Sequence, residues 1–122
     1  MGKFVTKAVK NGFVFNLKAS NGEVIGVSEV YASQASCNNG IESVKKNAPI
    51  AEIEDQTIEG YKNVPNPCFE VYTDKAGEFR FRLKAKNGEP ILASEGYKAK
   101  ASCLNGVDSV KRNVPDAPVE QE

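Results

Sequence analysis

Few side chains in this sequence could act in catalysis, because its 122 residues include no histidine. Without histidine the chain lacks Ser-His-Asp and Cys-His catalytic groupings and the commonest side-chain ligand for metals. The remaining candidate nucleophiles are Cys37, Cys68 and Cys103. Cys37 and Cys103 fall on the apolar sides of two predicted helices, which indicates buried structural thiols, and we interpret Cys68 as a free thiol without a role. No Cys-x-x-Cys spacing occurs, so we expect neither a zinc site nor a disulfide framework.

Carboxylates are the other candidates for chemistry, and two pairs of them occupy equivalent positions in an internal repeat. Glu29 corresponds to Glu95, and Glu42 corresponds to Asp108. Two such carboxylates could form an acid–base pair, but no sequence rule brings them together, and pairing with nearby lysine or arginine is the simpler account. We therefore predict that the chain is not an enzyme and has no catalytic residues, no cofactor and no metal. A small enzyme that uses carboxylates or a thiol is the less favoured alternative.

A row of cations is the most distinctive binding feature of the sequence. Every second residue of one predicted strand is basic, and these candidate binding residues are Arg80, Arg82, Lys84 and Lys86. Such a row could bind the phosphate backbone of a nucleic acid, with Tyr72 and Tyr97 adding stacking interactions. The alternative is a solvated sheet face that Glu89 or Glu95 partly neutralises across a hairpin. The net charge of zero favours that alternative.

An internal repeat positions these residues. Residues 13–49 match residues 79–115 at a constant offset of 66, with about 22 identities in 37 positions. We assign 1–56 to the first repeat, 57–68 to a connector and 69–122 to the second repeat. Because a unit of about 50 residues is marginal for folding alone, the repeats are expected to form one compact domain, most simply a monomer.

Each repeat is predicted to contain three strands, a helix and a fourth strand. Alternating apolar residues indicate half-buried strands. The strand residues expected to face the helices are Phe13, Phe15, Leu17, Phe79, Phe81 and Leu83. Apolar residues at helical spacing predict helices over roughly 33–46 and 99–112, and the glycines inside them, Gly40 and Gly106, indicate a close approach to another backbone. The predicted fold class is α+β: two tandem βββαβ repeats with pseudo-twofold symmetry, and an antiparallel-rich sheet with both helices on one face.

The hairpin between the second and third strands of each repeat is predicted from its Asn-Gly turn, with the glycine in a left-handed conformation. In both return strands two apolar positions flank a residue that is glycine in one repeat and leucine in the other. The predicted inward residues are therefore Ile25, Val27, Ile91 and Ala93. This register sets Leu83 opposite Ile91, and a slip of one residue would reverse every side chain.

Both repeats resemble the YegP-like family, in the second copy through the runs FRFRLKAKNGEPILASEGY and SCLNGVDSVKRN and in the first through their counterparts. The members of that family are small bacterial proteins built from tandem units of about 50 residues. The resemblance covers almost the whole chain outside the connector. It implies that the two βββαβ units assemble around a continuous sheet with their C-terminal strands exchanged between units. The family is one of unknown function, so the resemblance implies no catalytic or binding residues.

Charge and hydropathy limit the classes of partner. The 16 basic residues balance the 16 acidic residues, so no overall field attracts nucleic acid or an anionic membrane. No apolar run is long enough to cross a bilayer and no signal-peptide pattern is present, so we expect a cytoplasmic protein without a membrane partner. The favoured function is a small non-enzymatic binding or interaction module whose partner is unknown and could be a protein. A purely structural or stress-related protein without a specific ligand is a third possibility. The alternative partner is a nucleic acid on the basic strand, and the open edges of the sheet offer a further route for a protein partner.

Overall fold

Eight strands and two α-helices make up the fold in the computed structural model, which describes residues 2–122. The first repeat contains β1 (Lys3–Val9), β2 (Gly12–Lys18), β3 (Val24–Val27), α1 (Gln34–Asn47) and β4 (Glu52–Asp55). The second repeat contains β5 (Cys68–Thr73), β6 (Phe79–Lys84), β7 (Pro90–Ala93), α2 (Lys100–Asn113) and β8 (Val119–Gln121). A short 3-10 helix, Ala48–Ile50, follows α1. The predicted βββαβ order is confirmed in both repeats.

The eight strands form one sheet in the order β4-β5-β6-β7-β3-β2-β1-β8. Neighbouring strands are antiparallel except at the two edges, where β4 pairs parallel with β5 and β8 pairs parallel with β1. Each repeat therefore adds its last strand to the other repeat, which confirms the exchange implied by the family resemblance. The repeats also meet at the centre of the sheet, where β3 and β7 pair through Val27 and Ala93.

Both helices begin and end within about one residue of the predicted positions. Ser33 is the N-cap of α1, and its hydroxyl accepts a 3.0 Å hydrogen bond from the backbone N–H of Ser36. This bond satisfies one of the N–H groups that a helix leaves free at its start. Helix α2 starts after Ala99 without a side-chain cap. In both helices the last turn carries two basic residues, which interact favourably with the negative end of the helix dipole.

The core lies between the helices and one face of the sheet. The predicted inward residues of β2 and β6 lie there: Phe15, Leu17, Phe81 and Leu83 are fully buried, and Phe13 and Phe79 pack at the margin. Phe4 packs edge-on against Phe15 with ring centroids 5.8 Å apart, and Phe69 repeats that contact with Phe81 at 6.0 Å. Each fully buried side chain of this size contributes about 2 kcal/mol of hydrophobic stabilisation.

The predicted hairpin register was wrong by one residue. Leu83 pairs with Leu92 and not with Ile91, because the register shifts between Leu83 and Lys84. The Asn-Gly turn itself has the expected geometry, since Gly88 is left-handed with φ of +86°. A bulge just after the turn inserts Ile91 as an extra residue that remains buried in the core. The first repeat contains the same turn and the same shift.

The bulge also reverses the predicted orientation of Val27 and Ala93. Ala93 pairs directly with Arg82, whose side chain lies on the face of the sheet without helices, and Val27 pairs with Ala93. Val27 is 37% exposed as a result. The buried positions are instead Gly26 and Leu92, which lie against each other: a Cβ on Gly26 would be 2.7 Å from the Leu92 side chain. The two residues differ because they share one volume at the junction of the repeats.

The helix glycines do mark a close approach, but the neighbour is not a backbone. A Cβ on Gly106 would be 2.6 Å from the Tyr97 hydroxyl and 2.9 Å from the Phe81 ring. Gly40 faces Tyr31 and Phe15 in the same way. In each repeat the helix glycine therefore makes room for a tyrosine ring that stacks on the central phenylalanine of the sheet.

Candidate functional site on the helix-free face

Side chains from all eight strands align in one row across the helix-free face of the sheet. Direct cross-strand pairing sets this central row, which consists of Glu120, Val5, Asn16, Val27, Ala93, Arg82, Glu70 and Glu54. The repeat makes Asn16 equivalent to Arg82, and their partners on the preceding strands, Val5 and Glu70, are equivalent in turn. An uncharged pair therefore lies in one half of the sheet and a charged pair in the other half.

The strand cations are held by carboxylates on or beside the neighbouring strand β5. Arg82 Nε lies 2.5 Å from Glu70 Oε1, and Lys84 Nζ lies 3.1 Å from Glu70 Oε2. Arg80 Nε lies 2.6 Å from Asp74 Oδ2. The neutralising partners are thus Glu70 and Asp74, and not Glu89 or Glu95 as expected from the sequence. The cations on this strand form paired charges with a much weaker net positive field than four free cations would have.

Glu70 is a buried carboxylate, with 7% of its surface exposed. Burial alone raises the pKa of Glu70, but hydrogen bonds from Arg82 and Lys84 outweigh burial and hold that pKa below its usual range. Glu70 is therefore ionised at neutral pH and fixes both cations in place. The guanidinium carbon of Arg82 also lies over the ring of Tyr72, 4.5 Å from its centroid, a favourable cation–π arrangement.

Two other residues of the predicted basic site lie elsewhere. Strand β6 ends at Lys84, so Lys86 is in the exposed β6–β7 turn and outside the row of cations. Tyr97 stacks on Phe81 in the core, with ring centroids 6.4 Å apart, and is on the opposite side of the sheet. The structure therefore brings together Arg80, Arg82, Lys84 and Tyr72, and it separates Lys86 and Tyr97 from them.

An open pocket of about 250 Å³ lies beside Arg82 at the junction of the two repeats. It is lined by Val27, Ser28, Glu29, Tyr72, Arg82, Pro90, Leu92 and Ala93. Val27, Pro90 and Ala93 make the lining largely apolar, while Tyr72 and Arg82 contribute an aromatic ring and a guanidinium. We call this pocket the central pocket. Its composition suits contact with a partly apolar ligand that also carries a hydrogen-bond acceptor.

The connector closes one end of the helix-free face. Glu54, which is 5% exposed, accepts a 2.9 Å hydrogen bond from the backbone N–H of Val64 and a 2.6 Å hydrogen bond from Gln56 Nε2. Glu54 neighbours Glu70 in the central row. Each carboxylate has its own hydrogen-bond donors, which are neutral amide groups for Glu54 and the cations Arg82 and Lys84 for Glu70.

Of the two predicted carboxylate pairs, Glu42 and Asp108 lie on separate helices, α1 and α2. Glu29 and Glu95 lie in the loops that follow β3 and β7. Asp108 accepts a 2.8 Å hydrogen bond from Arg112 on its own helix, and Glu42 lies 3.9 Å from Lys45. Both arrangements are the exposed charge pairs that the sequence favoured over an acid–base pair.

The three thiols are all buried and free. Burial raises the pKa of Cys37, and it raises the pKa of Cys103 to about 11. Burial, followed by the nearby charges of Glu70 and Glu54, raises the pKa of Cys68. Cys68 also donates a 3.3 Å hydrogen bond to Asn66 Oδ1. A raised pKa keeps a thiol protonated at neutral pH and therefore weakly nucleophilic.

Residues 2–122 contain neither a cluster of metal-binding side chains nor a membrane-spanning helix. In that range no group of three or more cysteine, aspartate or glutamate side chains is arranged to hold a metal ion. No helix in the same range is long and apolar enough to cross a bilayer.

The residue that sequence reasoning missed is Glu70. Its signal was present, because Glu70 is the one charged residue in the otherwise apolar and aromatic run Cys68–Tyr72, on the strand that precedes the row of cations. Recognising it required the pairing of β5 with β6, which places Glu70 directly opposite Arg82. A lone carboxylate in a buried strand indicates a cation on the neighbouring strand.

Comparison with known proteins agrees with this architecture. A family model described as a domain of unknown function, DUF1508, matches residues 8–55 and again residues 74–121. A UPF0339 protein of Bordetella pertussis is 40% identical over 99% of this chain and 96% of its own length. A UPF0339 protein encoded in the ptx operon 5′ region of Stutzerimonas stutzeri is 77% identical over 39% of this chain, and the match covers 43% of that relative.

The solution NMR structure of yegP from E. coli, a protein of unknown function, superposes with a TM-score of 0.81 at 34% identity. That alignment covers 99% of this chain and 92% of the E. coli chain. The resemblance to YegP-like proteins is thereby confirmed, and so is the α+β fold of two repeats. None of these relatives has an assigned activity in its description. The chain therefore belongs to the DUF1508 family and contains two tandem copies of its domain.

Proposed function

We propose that this chain is a small, non-enzymatic binding module that accepts a segment of a protein partner on its helix-free face. The central pocket is the observation that carries this proposal. It combines an exposed apolar residue, Val27, with Tyr72 and Arg82, and tyrosine and arginine are the residue types enriched at energetically important positions of protein interfaces. The packing of Arg82 between Glu70 and Tyr72 holds it ready for a partner without a further loss of side-chain entropy.

The edges of the sheet support partner binding less well than its face. Strand β8 has three residues, and β4 is a four-residue strand with three carboxylates: Glu52, Glu54 and Asp55. Short and charged edge strands are the usual protection against the addition of another strand.

Nucleic-acid binding through Arg80, Arg82, Lys84 and Lys86 is the alternative, and the ion pairs weigh against it. Three of these cations already have carboxylate partners within about 3 Å, and Lys86 lies outside the strand. We further propose that the protein acts as a monomer in the cytoplasm and without a cofactor. The raised pKa of each thiol, and the placement of Glu42 and Asp108 on different helices with cations of their own, support a role without catalysis.

A photo-crosslinking amino acid at position 27 tests the protein-binding proposal. In cells, a crosslinker at position 27 should form a discrete adduct with a partner protein. Adding the Tyr72→Ala substitution should reduce the yield of that adduct. The matched control carries the crosslinker at Val119, which is 46% exposed. Val119 lies on the edge strand β8, opposite the core residue Phe4 and away from the central pocket. Equal adducts from both positions, or none from position 27, would contradict the proposal.

An amide NMR titration with short RNA and DNA separates the two candidate partners. Shifts confined to residues 79–86 that fade with added salt would favour the nucleic-acid alternative. The Arg80→Glu plus Arg82→Glu variant should then lose those shifts while it stays folded. We expect no such shifts, because Arg80, Arg82 and Lys84 already form ion pairs with Asp74 or Glu70.

A further inference from the structure

A larger pocket, of about 460 Å³, lies between α1 and the β6–β7 turn. We call it the α1–turn pocket. It is lined by Asn39, Glu42, Ser43, Lys46, Asn47, Ile50, Ala85, Lys86 and Asn87. Asn39 and Asn87 contribute side-chain amides to this lining, and Lys46 and Lys86 contribute two ammonium groups, whereas the central pocket has a single cation. The Asn47 amide donates instead to Ser43 on its own helix.

In the part of the chain that the structure describes, the lysines of the α1–turn pocket lack carboxylate partners, whereas the cations of strand β6 are paired with Glu70 and Asp74. Neither Lys46 nor Lys86 has an ion-pair partner among residues 2–122. Glu42 is the one carboxylate in the lining, and it lies 3.9 Å from Lys45 Nζ. Two lysines and one carboxylate leave an excess of one positive charge, and Lys45 offsets the carboxylate from outside the pocket.

The repeat provides an internal comparison for this charge. At an offset of 66 residues, Lys86 corresponds to Ser20, Lys46 to Arg112 and Ile50 to Asp116. Arg112 is engaged by Asp108, the equivalent of Glu42, at 2.8 Å. The equivalent positions therefore hold one cation and two carboxylates. The positive excess belongs to one side of the molecule and does not come from the fold itself.

We propose that the α1–turn pocket binds the phosphate group of a small phosphate monoester. Lys46 and Lys86 pair with the phosphate oxygens, and the amide of Asn39 or Asn87 donates to them, because a phosphate offers three strong acceptor oxygens and nearly two negative charges at neutral pH. Ile50, which is 67% exposed at the rim, contacts the apolar part of the ligand. This site is separate from the central pocket and does not depend on the function proposed there.

Amide NMR titrations of the full chain with phenyl phosphate, inorganic phosphate and phenol, at constant ionic strength, test the proposal. Phenyl phosphate should shift the amides of residues 39–50 and 85–87 with a dissociation constant in the range of about 1 mM. Inorganic phosphate should shift the same amides more weakly, and phenol should not shift them. Equal shifts with phenol, shifts centred on residues 79–84, or no shifts up to about 20 mM phenyl phosphate would overturn the proposal.

A matched set of variants tests the two lysines. The Lys46→Gln plus Lys86→Gln variant should bind phenyl phosphate at least tenfold more weakly, while Arg112→Gln, at the equivalent of Lys46, should bind it unchanged. Both lysines are exposed, so the double variant should keep the spectrum of the folded chain. If that spectrum is lost, Asn39→Asp, which adds a negative charge to the lining, should weaken binding in a folded chain. Unchanged binding in the folded double variant, or an equal loss in Arg112→Gln, would refute the site.

Discussion

At the residue scale, the pair of Glu70 and Arg82 distinguishes the second repeat from the first. The equivalent residues in the first repeat are Val5 and Asn16, which are uncharged. A buried carboxylate and its cations stabilise a fold only while each has its partner, because removal of one partner leaves the other poorly solvated. The first repeat shows that the same sheet position also accepts an uncharged pair. The first repeat thus indicates which double substitution should replace the charged pair of the second repeat without loss of packing.

We expect Glu70→Val to lower the free energy of unfolding by about 2 kcal/mol, because Arg82 and Lys84 lose their shared acceptor. Arg82→Asn should also destabilise, since Glu70 then keeps only Lys84. The double variant Glu70→Val plus Arg82→Asn recreates the pair of the first repeat and should cost at least about 1 kcal/mol less than the sum of the two single variants. Urea unfolding of the four proteins gives this double-mutant cycle. Additive costs would show that the ion pair contributes nothing beyond its separate residues.

The same carboxylate makes stability depend on pH. The folded-state pKa of Glu70 is lowered, because the hydrogen bonds from Arg82 and Lys84 outweigh the opposing effect of burial. The stabilisation by Glu70 is therefore fully present above the unfolded pKa of a glutamate, about 4.3, and is lost as the pH falls through the lowered folded value. The difference in unfolding free energy between the wild type and Glu70→Gln should be constant above about pH 5.5 and should shrink below about pH 4. A difference that grows on acidification would contradict this assignment.

The thiols lead to a third expectation at this scale. With a pKa of about 11, only about one Cys103 side chain in a thousand is a thiolate at pH 8, and all three cysteines are buried. Iodoacetamide should therefore modify the native chain far more slowly than the urea-unfolded chain, as mass spectrometry would show. Rapid modification of one cysteine in the folded protein would revive the thiol-enzyme alternative.

At the scale of elements, each helix is fitted to the sheet by a glycine that faces a tyrosine ring. Helix α2 approaches so closely that a Cβ at Gly106 would be 2.6 Å from the Tyr97 hydroxyl. Alanine is a better helix former than glycine by about 1 kcal/mol, yet overpacking typically costs about 1–3 kcal/mol. The close contact, and not helix propensity, therefore accounts for glycine at this position.

We expect Gly106→Ala to lower the melting temperature, and the Tyr97→Phe background to relieve much of that loss because it removes the hydroxyl. The contact with the Phe81 ring at 2.9 Å remains, so the relief should be partial. Thermal unfolding of the two single variants and the double variant measures this coupling. The same cost for Gly106→Ala in both backgrounds would show that the hydroxyl is not the limiting neighbour.

The elements themselves could be predicted from the sequence, whereas their exact alignment could not. The alternation Phe13-Phe15-Leu17 and the helical spacing around Cys37 are local signals, and both identified their elements. The bulge at Ile91 gives no such signal, because a pattern of apolar residues does not show where an extra residue is inserted. The bulge becomes evident only from the pairing of β6 with β7.

The candidate site depended on a similar non-local alignment. Residues 13–49 and 79–115 match at an offset of 66, but Val5 and Glu70 are 65 residues apart, because the β1–β2 and β5–β6 turns differ in length. The comparison of repeats therefore identified the cations but not their acidic partner. Three of the four cations lie together on strand β6 as predicted. Their ion pairs with Glu70 and Asp74 became evident only from the structure of the sheet.

At the scale of the whole molecule, the pseudo-twofold symmetry breaks at the junction of β3 and β7, where Gly26 lies against Leu92. Two identical large side chains at this junction would compete for the same volume, and the chain resolves that competition with Gly26 on one strand and Leu92 on the other. A large residue opposite a small one is the usual way in which facing layers fill space without strain. The single core of the protein, shared by two repeats, depends on this pair.

We expect Gly26→Leu to destabilise the chain by about 1–3 kcal/mol or more, because a Cβ at position 26 would lie only 2.7 Å from the Leu92 side chain. Leu92→Gly should cost about 3–5 kcal/mol through the cavity that it leaves. The exchanged variant, Gly26→Leu plus Leu92→Gly, moves the large side chain to the equivalent position across the axis and should be clearly more stable than the sum of the single changes predicts. Chemical unfolding of the four proteins tests this, with the slope of each transition confirming a common unfolding reaction. Additive losses in the exchanged variant would mean that the two residues do not share one volume, and that the repeats differ at this junction for a reason other than packing across the axis.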